Sequence, residues 1–140
     1  MLANGIKLKM SETKGSGSGY AVLEGLKEVP ELGVDPEKVE NTTLADTIKQ
    51  YEFGIGDAGE LEYKFKYENS KVTSSFRTLR KLADDKAVRH FEQEYPDGTK
   101  VHFSAQIAVK LGGGGVNSAI EFTLKLALQS DLEFTDPVAL

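Results

Sequence analysis

The sequence contains no cysteine and no tryptophan. Without cysteine the chain can form no disulfide framework, no thiolate metal site and no thiol nucleophile. No apolar run is long enough to cross a bilayer, and the first residues lack the basic flank and apolar stretch of a secretory signal. We therefore expect a protein with no membrane partner, made in the cytosol and kept there or assembled there into something released later.

Positive charge is also in short supply. The 17 Lys and Arg residues are outnumbered by 22 Asp and Glu residues, which gives a net charge of −5. A protein that holds nucleic acid usually presents a basic face, so this balance argues against a nucleic-acid binder. A chain of 140 residues, 39% hydrophobic and 28% charged, is expected to fold as one globular domain over residues 1–140.

Alternating hydrophobicity is abundant, and it is clearest in the C-terminal half. Strands are predicted over residues 87–95, 99–111 and 118–129. The apolar side of the second strand comprises Val101, Phe103, Ala105, Ile107, Val109 and Leu111. The apolar side of the third comprises Ile120, Phe122, Leu124, Leu126 and Leu128. This period of two predicts an antiparallel sheet with one buried side and one continuous polar side.

Two short connections join these three strands. Pro96-Asp97-Gly98 has the residues of a tight turn, because proline presets φ, aspartate accepts a local hydrogen bond and glycine permits positive φ. The four glycines Gly112–Gly115 indicate a hairpin tip or a close backbone approach to a partner. Both connections favour antiparallel pairing of strands that are neighbours in sequence.

The N-terminal half predicts shorter strands. Residues 6–10 and 20–26 flank the Gly/Ser segment 15–19, whose flexible composition is that of an engineered loop replacement or of a natural hairpin tip. Residues 47–55 and 60–68 predict a hairpin, because the residues between them are rich in glycine and aspartate.

One helix is predicted, over residues 73–85. Its apolar stripe consists of Phe76, Leu79, Leu82 and Ala83, and its start offers Thr73, Ser74 or Ser75 as a cap. Residues 28–44 predict neither a regular helix nor a central strand, because Pro30, Gly33 and Pro36 are incompatible with both. We predict a long extended arm or loop there, and such segments usually serve binding or assembly.

Two glycine patterns imitate nucleotide-binding motifs. Gly54–Gly59 matches G-x-G-x-x-G, but an alternating strand follows it where dinucleotide binding requires a helix N-terminus. Gly112–Gly115 lacks the Lys-Ser/Thr pair that completes a phosphate-binding loop. Both patterns are therefore interpreted as turns.

Two histidines could meet on the polar side of the sheet. His90 and His102 lie on neighbouring predicted strands beside Glu92 and Glu94, and such a set can bind a metal. Their spacing matches no recognised ligand pattern, so exposed polar residues are the favoured interpretation. No serine lies in a strand-to-helix elbow either. We predict no enzymatic activity, no cofactor and no metal site.

An ordered set of segments resembles a known family. Glu94–Thr99, then a long strand and glycines, then Ala119–Leu126 and Ser130–Phe134 resemble the major tail proteins of long-tailed, non-contractile bacteriophages. The resemblance extends upstream through residues 76–85, 51–68 and 24–36.

The resemblance implies a fold and an assembly. The fold would be mainly β, with two packed antiparallel sheets as a β-sandwich or half-barrel, one flanking helix and a C-terminal tail over residues 135–140. Copies would form hexameric rings that stack into a hollow tail tube, through which DNA passes without specific binding. Tape-measure and tail-terminator proteins are implied partners. The location would be the virion tail, after assembly in the bacterial host cytoplasm.

The resemblance also suggests which residues matter. Residues expected to face the lumen are the polar side chains of the long strands: Glu92, Glu94, His102, Ser104, Gln106, Glu121, Thr123 and Lys125. Contacts between rings are expected from the terminal segment 136–140 and from the arm residues Glu28, Val29, Pro30, Glu31, Leu32 and Val34. In the arm, Pro30 and Leu32 would be apolar anchors.

Two other functions fit the same pattern. A monomeric β-sandwich binding module, for example for carbohydrate, would usually expose an aromatic platform. Here most aromatic residues fall in core positions of the strands, which weighs against that function. The tube subunit of a related secretion or contractile injection machine would share the fold and the ring but differ in its partners.

Overall fold

The computed structural model describes residues 1–12, 19–33, 35–57 and 59–138. In these residues the chain is mainly β with one helix and two antiparallel sheets, as predicted. The elements are β1 (Lys7–Ser11), β2 (Ala21–Val22), β3 (Leu26–Glu28), β4 (Asp35–Glu40), β5 (Tyr51–Asp57), β6 (Glu60–Lys66), α1 (Ser75–Asp84), β7 (Val88–Glu94), β8 (Lys100–Leu111), β9 (Glu121–Leu128) and β10 (Glu133–Thr135).

The large sheet is rolled. Its order is β2-β1-β7-β8-β9-β6-β3, with β10 also paired to β8. A flat sheet of that width would hold its edge strands roughly 29 Å apart. Only Leu23, Glu24 and Gly25 separate β2 from β3, however, and they can span at most about 15 Å. Leu23 N bonds Leu8 O at 2.8 Å and Lys66 N bonds Gly25 O at 2.7 Å, so this short link ties both edges together as a half-barrel.

The inside of the roll is the hydrophobic core. Tyr63, Phe65, Phe91, Phe122 and Leu124 are among its most completely buried side chains. The Tyr63 hydroxyl donates to Oε1 of the buried Gln93 at 2.5 Å, which joins β6 to β7 across the interior. Helix α1 adds Phe76 and Leu79 to this core.

The predicted connections in the C-terminal half are confirmed. Tyr95 N bonds Thr99 O at 2.8 Å, Thr99 N bonds Asp97 Oδ1 at 3.0 Å, and Gly98 has φ +97°. The four glycines join β8 to β9, which pair antiparallel. Gly112 N bonds Glu121 O at 2.8 Å, and an added Cβ at Gly112 would lie 2.6 Å from that oxygen. This glycine is therefore required by a close backbone approach.

The predicted pairing in the N-terminal half was wrong. β5 pairs with β4 and forms the separate two-stranded sheet, whereas β6 pairs with β3 and β9. The predicted arm 28–44 accordingly contains a strand. The single strand expected over residues 20–26 is two short strands, because Gly25 at φ +88° breaks it.

The start of α1 is held by a carboxylate from outside the helix. Ser74 occupies the N-cap position, but its side chain makes no capping hydrogen bond. Ser74 Oγ instead donates to Glu68 Oε2 at 2.8 Å, and Ser70 N donates to Glu68 Oε1 at 2.7 Å. Hydrogen bonds from Ser70 and Ser74 lower the pKa of Glu68 from 4.5 to about 2.

We expect this carboxylate to make stability depend on acid pH. A lowered folded-state pKa stabilises the fold above the unfolded value near 4.5, and that stabilisation is lost as pH falls toward about 2. The melting temperature of Glu68→Gln should therefore fall less than that of the parent protein between those pH values. The exposed Glu31→Gln serves as the control, and equal slopes for Glu68→Gln and the parent would contradict the assignment.

Candidate assembly surfaces

The outer side of the rolled sheet gathers all of the predicted lumen residues. Strand registers place Glu92 opposite His102, Gln106 opposite Ala127 and Ala108 opposite Lys125. Opposed residues in a sheet share a face, and alternate residues return to it. One polar face therefore carries Glu92, Glu94, His102, Ser104, Gln106, Glu121, Thr123 and Lys125. We call it the polar face.

A charged row crosses the polar face on β1, β7 and β8. Glu92 lies 3.5 Å from Lys9 Nζ, 2.9 Å from His102 Nε2 and 3.9 Å from Lys100 Nζ. Lys9 Nζ also donates to Glu94 Oε2 at 2.6 Å. That hydrogen bond raises the pKa of Lys9 and lowers the pKa of Glu94.

This part of the polar face is less exposed than expected. Glu92 is 4% exposed and Ser104 is 9% exposed, so neither is the solvated side chain that alternation predicts. The reason is that neighbours on both adjacent strands cover Glu92, while Ser104 lies 2.6 Å from His90 Nδ1 and hydrogen-bonds Ser130 through its backbone. The described residues leave no buried side-chain polar atom without a partner.

The part of the polar face on β9, β6 and β3 is more open and mixed in charge. Lys125 lies 3.8 Å from Glu60 and 3.7 Å from Glu62. Lys27 donates to Glu121 at 2.5 Å, and this bond lowers the pKa of Glu121. Positive and negative side chains thus alternate here, and the net negative charge of the chain is not concentrated on this face.

The arm residues divide between solvent and core. Glu28 and Glu31 are exposed, and Pro30 is half-buried. Val29 and Leu32 pack against the chain's own core. Val34 lies outside the described residues, as do most of the Gly/Ser segment and residues 139–140. At the C-terminal tail, Pro137 lies against Gly98.

The hairpin of β4 and β5, residues 35–57, exposes the apolar surface that sequence reasoning missed. Phe53 is 73% exposed, Ile48 73% and Leu44 110%. Among the described residues this hairpin makes no extensive contact with other elements. An isolated two-stranded sheet is marginally stable in water, so this exposure indicates a partner. The alternation of Tyr51 and Phe53 along a strand was the available signal in the sequence.

In the described part of the chain, no three His, Asp or Glu side chains are placed to hold a metal ion. None of the helices formed by those residues is long and apolar enough to span a membrane.

Solved structures share this fold. The tail of an empty gene transfer agent particle, solved with C6 symmetry, has a TM-score of 0.69 at 21% identity, covering 95% of this chain and 98% of that one. The sheath-tube complex of an extracellular contractile injection system gives 0.65 at 8% identity, covering 94% and 88%. The SPP1 tail tube gives 0.63 at 11% identity, covering 96% and 78%.

Sequence comparisons identify the family. No curated protein sequence matches the chain. The family model described as phage tail tube protein, TTP, matches residues 15–137, which is most of the chain and includes strands β2–β10 and the helix. The chain therefore belongs to the phage tail tube protein family and is a structural subunit of the tail tube, a component of the virion.

Proposed function

We propose that this subunit assembles with itself into stacked hexameric rings, and that the resulting tube conducts DNA into the host. The C6 symmetry of the gene transfer agent tail supports the six-fold ring. We further propose that the tube belongs to a long-tailed, non-contractile phage and is assembled in the host cytoplasm with tape-measure and tail-terminator proteins. The chain acts as one domain, and homotypic assembly is its whole activity.

The projecting hairpin is the observation that carries this proposal. In a monomer, the exposed side chains of Leu44, Ile48 and Phe53 do not stabilise the fold, because the hairpin that carries them has few contacts with the core. A neighbouring subunit that covers these side chains would bury the apolar area and stabilise the hairpin at once. Contacts between rings would then involve this hairpin together with the arm residues Glu28, Val29, Pro30, Glu31 and Leu32 and the C-terminal tail.

The polar face is the proposed wall of the lumen. DNA binding requires cations that are free to displace counterions from phosphates. On the polar face Lys9, Lys64 and Lys125 each lie within 4.0 Å of a carboxylate oxygen. Pairing of these lysines with carboxylates therefore limits adhesion of DNA to the wall.

A second candidate function is the tube of a contractile injection machine. The similarity to the sheath-tube complex, at TM-score 0.65, favours it, although identity is 8% there against 21% for the gene transfer agent tail. A sheath-protein gene beside the gene for this chain would support the contractile alternative. Its absence there, with a tape-measure gene present, would support the non-contractile tail.

Solution mass and electron microscopy of the purified full chain test self-assembly. We expect species far above the 15.3 kDa monomer and hollow tubes in negative stain. A protein that stays at monomer mass over a wide concentration range, without rings or tubes, would contradict the proposal and favour a monomeric binding module.

A further inference from the structure

The three arginines of this chain lie close together in sequence. Arg77 and Arg80 are on α1, and Arg89 is on β7. Lys81 and Lys86 lie in the same stretch, so five cations fall within 13 residues of a chain whose net charge is −5. None of the five forms an ion pair with another described residue, whereas the lysines of the polar face are largely paired.

A groove of about 620 Å³ runs beside these cations. Its apolar floor includes Val72, which is 80% exposed, and the half-buried Leu82. Arg77, Lys81 and Arg89 line it, against the carboxylates of Glu12 and Asp85. The groove, which we call the helix groove, therefore combines an apolar floor with a mainly basic rim.

The tip of the hairpin, residues 40–52, has the complementary character. Leu44 and Ile48 are its exposed apolar side chains. Glu40 and Glu52 are exposed carboxylates at its base, and the hairpin carries no extensive contact with α1 of its own chain. Asp46 and Lys49 lie in the same segment, so residues 40–52 keep a net negative charge. An apolar element flanked by mainly acidic groups is complementary in sign of charge to an apolar floor flanked by mainly basic groups.

We propose that the helix groove receives the hairpin tip of a second copy of this chain. This inference rests on the proposed self-assembly and specifies which two surfaces meet. Because the two surfaces differ, the contact is heterologous and repeats from subunit to subunit, as a ring or a stacked tube requires. Leu44 and Ile48 of one copy cover Val72 and Leu82 of the other, and the carboxylates face the cations of the rim.

Charge reversal on each side, and then on both, tests this pairing in the full chain. Lys81→Glu/Arg89→Glu reverses two cations of the rim, and Glu40→Lys/Glu52→Lys reverses the two carboxylates of the tip. None of these four side chains is buried, so circular dichroism and melting temperature should show folded proteins. Each double variant alone should raise the critical concentration for assembly at least about tenfold, since like charges would then face each other. A variant carrying all four changes should return to within about threefold of the parent protein.

The control is Lys66→Glu/Lys110→Glu, which makes the same change in net charge on the polar face and should assemble like the parent. If the charge-reversed variants assemble at the parent's concentration, the groove does not receive the tip, while self-assembly stands. If both double variants fail to assemble and the variant with all four substitutions also fails, the two surfaces do not meet each other. A parent protein that never assembles would overturn the proposed function, and this docking with it.

Discussion

Replacing Tyr51 and Phe53 by serine should give a folded monomer that forms no tubes. Both side chains are more than half exposed, so their loss removes little buried area from the monomer, and its stability should change by about 0.5 kcal/mol or less. Aromatic residues buried at the centre of an interface typically contribute about 2–4 kcal/mol each to association. The pair should therefore raise the critical concentration for assembly by roughly a thousandfold or more.

Light scattering against protein concentration, with negative-stain images of the same samples, measures this effect. Tyr51→Phe combined with Phe53→Leu keeps the apolar surface and is the matched control, which should still form tubes. Normal tubes from the serine variant would show that the hairpin face is not covered during assembly.

Replacing Glu92 by alanine should destabilise the folded subunit by about 3 kcal/mol. The side chain is 5% exposed and lies 2.9 Å from His102 Nε2 and 3.5 Å from Lys9 Nζ. Its removal leaves the half-buried side chains of Lys9 and His102 without that carboxylate. Lys9 keeps its 2.6 Å bond to Glu94, which places the loss at the lower end of the range for broken buried pairs.

Urea unfolding measures this loss as a lower midpoint at unchanged slope. Glu92→Gln retains an acceptor for His102 and should lose less than the alanine variant. Glu62→Ala removes an exposed carboxylate 3.7 Å from Lys125 and should change the free energy of unfolding by about 0.5 kcal/mol or less. Equal effects of Glu92→Ala and Glu62→Ala would mean that the charged row across β1, β7 and β8 contributes no more to the free energy of unfolding than an exposed ion pair does.

The sequence was most informative where pairing is local. The strands of the C-terminal half, their two connections and helix α1 follow from alternation, turn residues and a helical stripe. There each strand pairs with its neighbour in sequence, so the turn chemistry of Pro96-Asp97-Gly98 also specifies the register. Leu111 and Ile120 are exceptions: they continue the apolar alternation but are 51% and 49% exposed, because Leu111 is the last residue of β8 and Ile120 precedes β9.

The pairing of β5 and β6 could not be predicted in this way. Their alternation and the glycines between them have all the local features of a hairpin, yet β6 lies between β9 and β3. Pairing there buries Leu61, Tyr63 and Phe65 in the core. That gain depends on β9, about 60 residues away in sequence, and on β3, about 36 residues away, and no local pattern reports such pairings. β5 therefore pairs with β4, and these two strands form the exposed hairpin.

The burial of Glu92 could not be predicted from the sequence, for a related reason. Alternation correctly assigns the residue to the polar side of its strand, but exposure depends on what the adjacent strands supply. Lys9 comes from β1 and His102 from β8, and the registers of three strands bring them together. The choice of face was thus predictable from sequence, whereas the degree of exposure was not.

Helical reconstruction of tubes by electron cryo-microscopy tests the central claim most directly. We expect a hollow tube of stacked six-membered rings, with the polar face of β7, β8 and β9 lining the bore and each hairpin seated on a neighbouring subunit. A reconstruction in which the polar face is buried between subunits or forms the outer surface, or in which the hairpins project into solvent, would contradict it.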